Sequence, residues 1–150
     1  MYTEFPSEKD FDPYHGNLDA QCAWRNFGGL GLVDARKRFD ESPEIYQEDF
    51  MFMGGKAFAF YFPVIDGFLR KTDELPKEQR GDRQSWILPQ CIKNQFEGRD
   101  FRQVLHLKTP VLRLCDFMLE NIALFADDWT DVTEIEKQWS QLKHFVESCN

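Results

Sequence analysis

The stretch from Tyr46 to Phe68, YQEDFMFMGGKAFAFYFPVIDGF, decides the fold. Its apolar residues recur at steps of three and four: Tyr46, Phe50, Met53, Ala57, Tyr61, Val64 and Phe68. Because this spacing puts them on one face of a helix, we predict one long helical rod or two nearly coaxial pieces. Gly54-Gly55 weakens such a rod, and Pro63 cannot donate a hydrogen bond to the carbonyl of Ala59, so a bend is expected there.

The same stretch does not have the pattern of a membrane span. A spanning helix needs about 20 consecutive apolar residues. The apolar run 50–65 is shorter, contains Lys56, and is interrupted by Gly54-Gly55 and by Pro63. We therefore predict a buried core helix and no membrane association.

Helical periodicity continues along the chain, and no segment shows the alternation typical of strands. Asn17 and the Ser42-Pro43 pair are expected to start short helices. Residues 101–125 form a second strongly apolar helical region, which we expect to be broken at Thr109-Pro110. Asp131 and Glu134 resemble a capping box at the start of a terminal helix with an apolar stripe.

These patterns predict an all-α fold, a single-domain bundle of five to seven helices with kinked apolar central helices. A length of 150 residues suits one domain, and 42% apolar residues suffice for a sizeable core. Within the domain 1–150, residues 1–16 are predicted to be an extended arm pinned by aromatic side chains. The polar stretch 71–82 is predicted to be a solvated connector.

Cysteine usage and the first residues favour a cytoplasmic protein. The chain begins MYTEFP, which lacks the basic and apolar regions of a secretory signal. The four cysteines are widely spaced and form no CxxC motif, so reduced, packed thiols are favoured over disulfides. They are Cys22, Cys91, Cys115 and Cys149.

No motif in the sequence predicts catalysis, a metal or a cofactor. His15, His106 and His144 are isolated and belong to no metal-binding pattern. The glycines at 28–31 and at 54–55 lack the spacing of a dinucleotide-binding or phosphate-binding loop, so tight packing or a bend is the favoured interpretation. We therefore expect a protein without enzymatic activity, metal or cofactor.

The distribution of charged residues indicates more about possible partners than any motif does. With 18 Lys and Arg against 26 Asp and Glu, the formal charge is −8, which disfavours nucleic-acid binding. Acids cluster in two places beside aromatic residues, where they serve either as ordinary solvated faces or as a binding surface for a basic protein. The candidate partner-binding residues are Asp40, Glu41, Glu44, Tyr46, Glu48, Asp49, Asp127, Asp128, Trp129, Asp131 and Glu134.

Three functions from different classes follow. The leading hypothesis is a small acidic cytosolic protein that neutralises or regulates a basic protein partner, such as a bacterial immunity protein that inhibits a cognate toxin. The alternative is a helical enzyme or ligand-binding domain with a pocket between helices 50–68 and 111–125. Its polar residues would come from Glu48, Asp49, Lys56, Tyr61 and His106. A third interpretation is a structural subunit whose Phe-rich surface forms a homodimer.

Overall fold

The computed structural model describes residues 5–81 and 83–150, in which the chain forms helices joined by turns and no strand. The α-helices are α1 (Glu8–Phe11), α2 (Leu18–Phe27), α3 (Leu32–Glu41), α4 (Pro43–Tyr46), α5 (Asp49–Phe52), α6 (Gly55–Arg70), α7 (Leu88–Glu97), α8 (Lys108–Glu120) and α9 (Val132–Glu147). Shorter 3-10 helices cover Lys71–Glu74, Lys77–Gln79, Phe101–Gln103, Leu105–Leu107 and Ile122–Phe125. The predicted all-α fold is confirmed, and the number of α-helices is above the predicted five to seven.

Helix α6 forms the centre of the bundle and contacts α1, α3, α7 and α8. Nine of its 16 residues are buried, as expected for a helix surrounded by others. Each large apolar side chain among them contributes about 1.5–3 kcal/mol relative to exposure to water. The predicted apolar stripe is confirmed at its buried members, which are Phe50, Met53, Ala57, Tyr61, Val64 and Phe68.

The predicted rod is interrupted, however, and its residues form α4, α5 and α6. Gly54 has an extended conformation, and its N–H donates to the carbonyl of Phe11 at 2.8 Å. A Cβ at Gly54 would collide with the carbonyl oxygen of Asp10. The backbone at the end of α1 therefore packs against Gly54, where the predicted rod would have continued, and a new helix begins at Gly55. Pro63 lies inside α6, which continues to Arg70.

The segment predicted as an extended arm contains helix α1, which corrects the prediction at Glu8–Phe11. The Ser7 N–H donates to Oδ2 of Asp10 at 2.9 Å, which satisfies a free donor at the start of this helix. Phe11 is fully buried and pins the segment to the core. Residues 1–4 lie outside the described part of the chain.

In the predicted connector 71–82, the described residues 71–81 contain two 3-10 helices, and most of their side chains are exposed. Thr72 is the exception, since it is fully buried. Its Oγ1 accepts a hydrogen bond from Nε of Arg83 at 3.3 Å, which ties the segment to the residues that follow it. Asp82, the last residue of the predicted connector, lies outside the described residues.

Local signals predicted two helix starts. The break expected at Thr109-Pro110 is confirmed to within two residues, because residues 101–107 contain two 3-10 helices and α8 begins at Lys108, with Pro110 in its first turn. N–H groups in a first turn have no intrahelical partner, so a proline there costs no hydrogen bond. The start of α9 is confirmed, with Oδ1 of Asp131 accepting from the Thr133 N–H at 3.0 Å.

Candidate functional site

The first predicted acidic group, on α3 to α5, is mixed in charge. Asp40 forms an ion pair with Lys71 at 3.0 Å. Arg36 and Lys37 line the same shallow cleft as Asp40 and Glu41. Glu44 and Glu48 are exposed, whereas Tyr46 is half-buried against the edge of Phe27. Because cations stand among these acids, the group does not form a uniformly anionic surface.

Asp49 is largely buried. Only 7% of it is exposed, and its Oδ2 accepts a hydrogen bond from Nδ2 of Asn26 at 2.8 Å. Burial raises the pKa of Asp49 to about 6, and the nearby negative charge of Glu48 adds to the effect. The prediction that Asp49 contacts a partner is corrected, since the start of α5 packs against α2 and faces the interior.

The second predicted acidic group is exposed throughout. It lies in the turn after residues 122–125 and in the first turn of α9, and we call it the acidic tryptophan face: Asp127, Asp128, Trp129, Asp131 and Glu134. Within residues 5–81 and 83–150, none of its four carboxylates forms an ion pair. Hydrogen bonds from Thr130 and from the Trp129 N–H lower the pKa of Asp127, which keeps this carboxylate charged.

Trp129 and Trp86 form the aromatic part of this surface. Trp129 is 94% exposed and Trp86 is 47% exposed. They share a notch of about 240 Å³ with two acids of the face, Asp131 and Glu134. The notch therefore combines apolar ring surface with negative charge. We define the tryptophan notch by its lining residues, which are Trp86, Trp129, Thr130, Asp131, Glu134 and Ile135.

Trp86 is not among the residues that the sequence indicated as candidates. It lies just before α7, and periodicity gives no clear signal for it, because Leu88 is also one position from Ile87 and is fully buried. Ile87 and Cys91 are buried, whereas Trp86 is exposed. A large aromatic residue that the fold leaves at the surface is a candidate anchor.

The backbone that carries Trp86 is held by contacts on both sides. Arg83 and Gln84 have positive φ angles of 53° and 57°, which side-chain-bearing residues rarely adopt. The Arg83 guanidinium lies 3.8 Å from the ring centre of Phe68 and donates to its carbonyl. On the other side, Nε1 of the buried Trp139 donates to the carbonyl of Ser85 at 2.7 Å. This last bond fixes the Trp86 backbone relative to α9.

The predicted pocket between helices 50–68 and 111–125 falls where α6 packs on α8. Tyr61 is fully buried, and its hydroxyl donates to the carbonyls of Phe27 and Leu30. The residues of α8 on the core side have no exposed area: Val111, Leu114, Cys115 and Met118. Packed side chains therefore fill this region.

The polar residues proposed for that pocket lie apart from the buried contact. Lys56 and His106 are exposed, as is Glu48. Lys56 stands 4.0 Å from Asp10 in an exposed ion pair rather than facing a cavity. Since Tyr61 points into the core and His106 toward solvent, the structure does not bring these groups together.

A cleft of about 340 Å³ lies between the turn after α1, the start of α6 and the end of α7. Its polar residues contact one another across the opening. The Tyr14 hydroxyl donates to Oδ1 of Asp100 at 2.6 Å, and the Arg99 guanidinium stacks 3.4 Å from the centre of the Tyr14 ring. The floor is apolar, with Met53 and Phe11 among its residues. These contacts tie the segment after α1 to the end of α7.

The cysteines and the other potential metal ligands are dispersed over the described part of the chain. No group of three or more His, Cys, Asp or Glu side chains there is arranged to hold a metal ion. Each of the four cysteines is unpaired. Burial raises the pKa of the Cys91 and Cys115 thiols to about 12, so both stay protonated at neutral pH.

In residues 5–81 and 83–150, no helix has both the length and the hydrophobicity needed to cross a bilayer. No family model matches the chain, and neither the curated proteins nor the solved structures gave a match.

Proposed function

We propose that this protein binds a basic protein partner through the acidic tryptophan face. The observation that carries the proposal is the exposed, unpaired state of the carboxylates of Asp127, Asp128, Asp131 and Glu134 in the described structure, beside a tryptophan that is 94% exposed. The other acidic group differs from this face, because its Asp40 forms an ion pair with Lys71 and its Asp49 is buried.

The carboxylates and the tryptophan ring contribute to different stages of binding. Clustered carboxylates attract a basic surface over long range and accelerate its encounter with the protein. Once the surfaces meet, a tryptophan that loses its contact with water is among the strongest anchors that interfaces use. The net charge of −8 adds a field of the same sign, which repels acidic proteins and nucleic acids.

Binding of this kind leads to a neutralising or regulatory role. A basic surface covered by this protein can no longer bind its own acidic substrate, and an immunity protein that inhibits a cognate toxin is one instance. The unpaired thiols, two of them buried, support a cytoplasmic location, because reducing compartments maintain cysteines in that state.

The test is affinity capture from the native source at low salt with three matched baits. The first is the wild-type chain, and the second neutralises the face by Asp127→Asn, Asp128→Asn, Asp131→Asn and Glu134→Gln. These amides keep the size of each side chain and preserve the cap on α9, since Asn is also a good cap. The third bait is the control, which removes the same number of charges by Asp19→Asn, Asp34→Asn, Glu97→Gln and Glu147→Gln at exposed acids elsewhere.

The expected result is a basic protein retained by the wild type and the control and lost from the neutralised face. Retention should fall as salt rises, because exposed charges are screened beyond about 10 Å at 0.1 M salt. A partner held equally by all three baits would contradict the proposal, and so would the absence of any basic protein from the wild-type bait.

A further inference from the structure

We infer that the tryptophan notch receives one arginine side chain of the partner; this inference rests on the proposed function and specifies its anchor. The notch volume of about 240 Å³ is below the 300–1,000 Å³ typical of small-molecule sites. That volume suits a single side chain better than a cofactor or substrate. The notch is also open at the surface, so a side chain that projects from another protein can enter it.

The lining selects the chemistry of that side chain. Trp86 and Trp129 offer indole rings, which attract cations more strongly than the rings of other aromatic residues. Two acidic residues, Asp131 and Glu134, line the same notch from the α9 side. A purely apolar side chain would displace water from their carboxylates without replacing its hydrogen bonds, whereas a cation satisfies both the rings and the acids.

Guanidinium fits this lining better than ammonium does. It is planar, so it stacks on an indole face, and its several N–H groups donate to more than one carboxylate at a time. It is also less strongly hydrated than a lysine ammonium, which lowers the cost of leaving water. The chain itself contains this arrangement at Arg99, whose guanidinium stacks 3.4 Å from the Tyr14 ring centre, next to Asp100.

Both acids at the notch retain capacity for a further hydrogen bond. Asp131 accepts from the Thr133 N–H through Oδ1, and Glu134 accepts from Nε2 of Gln138 through Oε1. A carboxylate has about four acceptor positions, so one such bond leaves most of them free. The Trp139–Ser85 hydrogen bond fixes one wall of the notch before any partner arrives, which reduces the ordering required on binding.

The test follows the indole N–H signals of the four tryptophans by ¹H–¹⁵N NMR during titration with a blocked Gly-Arg-Gly peptide. Matched peptides carry lysine or the uncharged citrulline in place of arginine. The arginine peptide is expected to shift the signals of Trp86 and Trp129 in a saturable manner, and more than either matched peptide does. The Trp139 signal should stay in place, because Ser85 holds its N–H in the core.

Two isosteric variants show whether the notch itself binds the peptide. Glu134→Gln removes the carboxylate of a lining residue. We expect it to lower the affinity for the arginine peptide about two- to fivefold, the effect of losing one exposed charge pair. Glu136→Gln removes an exposed acid of α9 outside the notch and should leave the affinity unchanged. Equal weakening by both variants would show a general charge effect and would overturn the inference.

Two further outcomes would overturn it, and both are separable from the proposed function. One is the absence of any shift at Trp86 and Trp129 with the arginine peptide. The other is an equal shift with the lysine or citrulline peptide. In either case the capture experiment still decides separately whether the acidic tryptophan face binds a basic protein.

Discussion

At the scale of single residues, burial raises the pKa of Asp49, an effect that its position in the sequence does not indicate. The sequence places Asp49 in an acidic run at a helix start, where carboxylates are usually exposed and ionised. In the fold it is 7% exposed with one hydrogen bond from Asn26, and its pKa is about 6. Its location in space, which depends on how α5 packs, determines this behaviour.

The raised pKa predicts how the stability contribution of Asp49 depends on pH. Between about pH 4 and pH 6 the folded protein holds the Asp49 proton and the unfolded chain has released it. The free energy of unfolding therefore falls as pH rises through this window, by up to about 3 kcal/mol, and this contribution is constant above it. Asp49→Asn removes the effect, so the wild type should lose stability relative to this variant between pH 4 and 6.

Urea unfolding of both proteins across pH 4 to 7 measures this difference. Asp128→Asn is the control, because it removes one negative charge from an exposed position. Parallel stability curves for the wild type and Asp49→Asn would show that the carboxylate is not held in the buried setting described above.

At the scale of elements, the sequence predicted the start of a helix correctly where a capping side chain bonds to the backbone of the helix that follows it. The cap at Asp131 and the cap at Asn17, whose Oδ1 accepts from the Ala20 N–H at 2.9 Å, involve residues close in sequence. The interruption of the rod depends on distant residues instead, because the backbone at Asp10 and Phe11 meets Gly54. Periodicity identified the buried stripe correctly but contained no information about that contact.

The close approach at Gly54 gives a second prediction. Gly54→Ala places a methyl group against the carbonyl of Asp10, and the adjustment also weakens the bond from the Gly54 N–H to Phe11. We expect a loss of about 3 kcal/mol in the free energy of unfolding. Gly29→Ala is the control, since a Cβ there meets no atom within 4 Å and only its φ of 78° is unfavourable, at about 1 kcal/mol.

Denaturant unfolding of the two alanine variants compares these costs directly. Equal losses in both would mean that the contact between Gly54 and the segment around α1 is loose. The interruption between α5 and α6 would then require another explanation.

At the scale of the whole molecule, the aromatic content is explained by the core. Nine of the 15 phenylalanines are buried, and five ring contacts connect Phe11, Tyr61, Phe27, Phe50, Phe39 and Phe68 through the interior. Such contacts add to the transfer energy of each ring. The abundance of phenylalanine therefore does not require a Phe-rich dimer surface, which was the reason for the homodimer interpretation.

Charge distribution at this scale was predictable only in part. The sequence identified both acidic groups and Trp129, because acids close to an aromatic residue can be recognised along the chain. It did not indicate that Lys71 pairs with Asp40, since these residues are 31 positions apart. It also missed Trp86, which reaches the notch through tertiary contacts of the segment before α7 with α9.

The central claim is that the acidic tryptophan face attracts and holds a basic partner. Its most direct test is the association rate constant of the captured partner, measured by stopped flow at low and at high salt. The wild type and the four-amide variant of the face are compared, with Asp19→Asn, Asp34→Asn, Glu97→Gln and Glu147→Gln as the control of equal net charge. Wild type and control should associate rapidly with a steep decrease as salt rises, and the four-amide variant slowly with a shallow decrease. The same rate and the same salt dependence in all three proteins would contradict the claim.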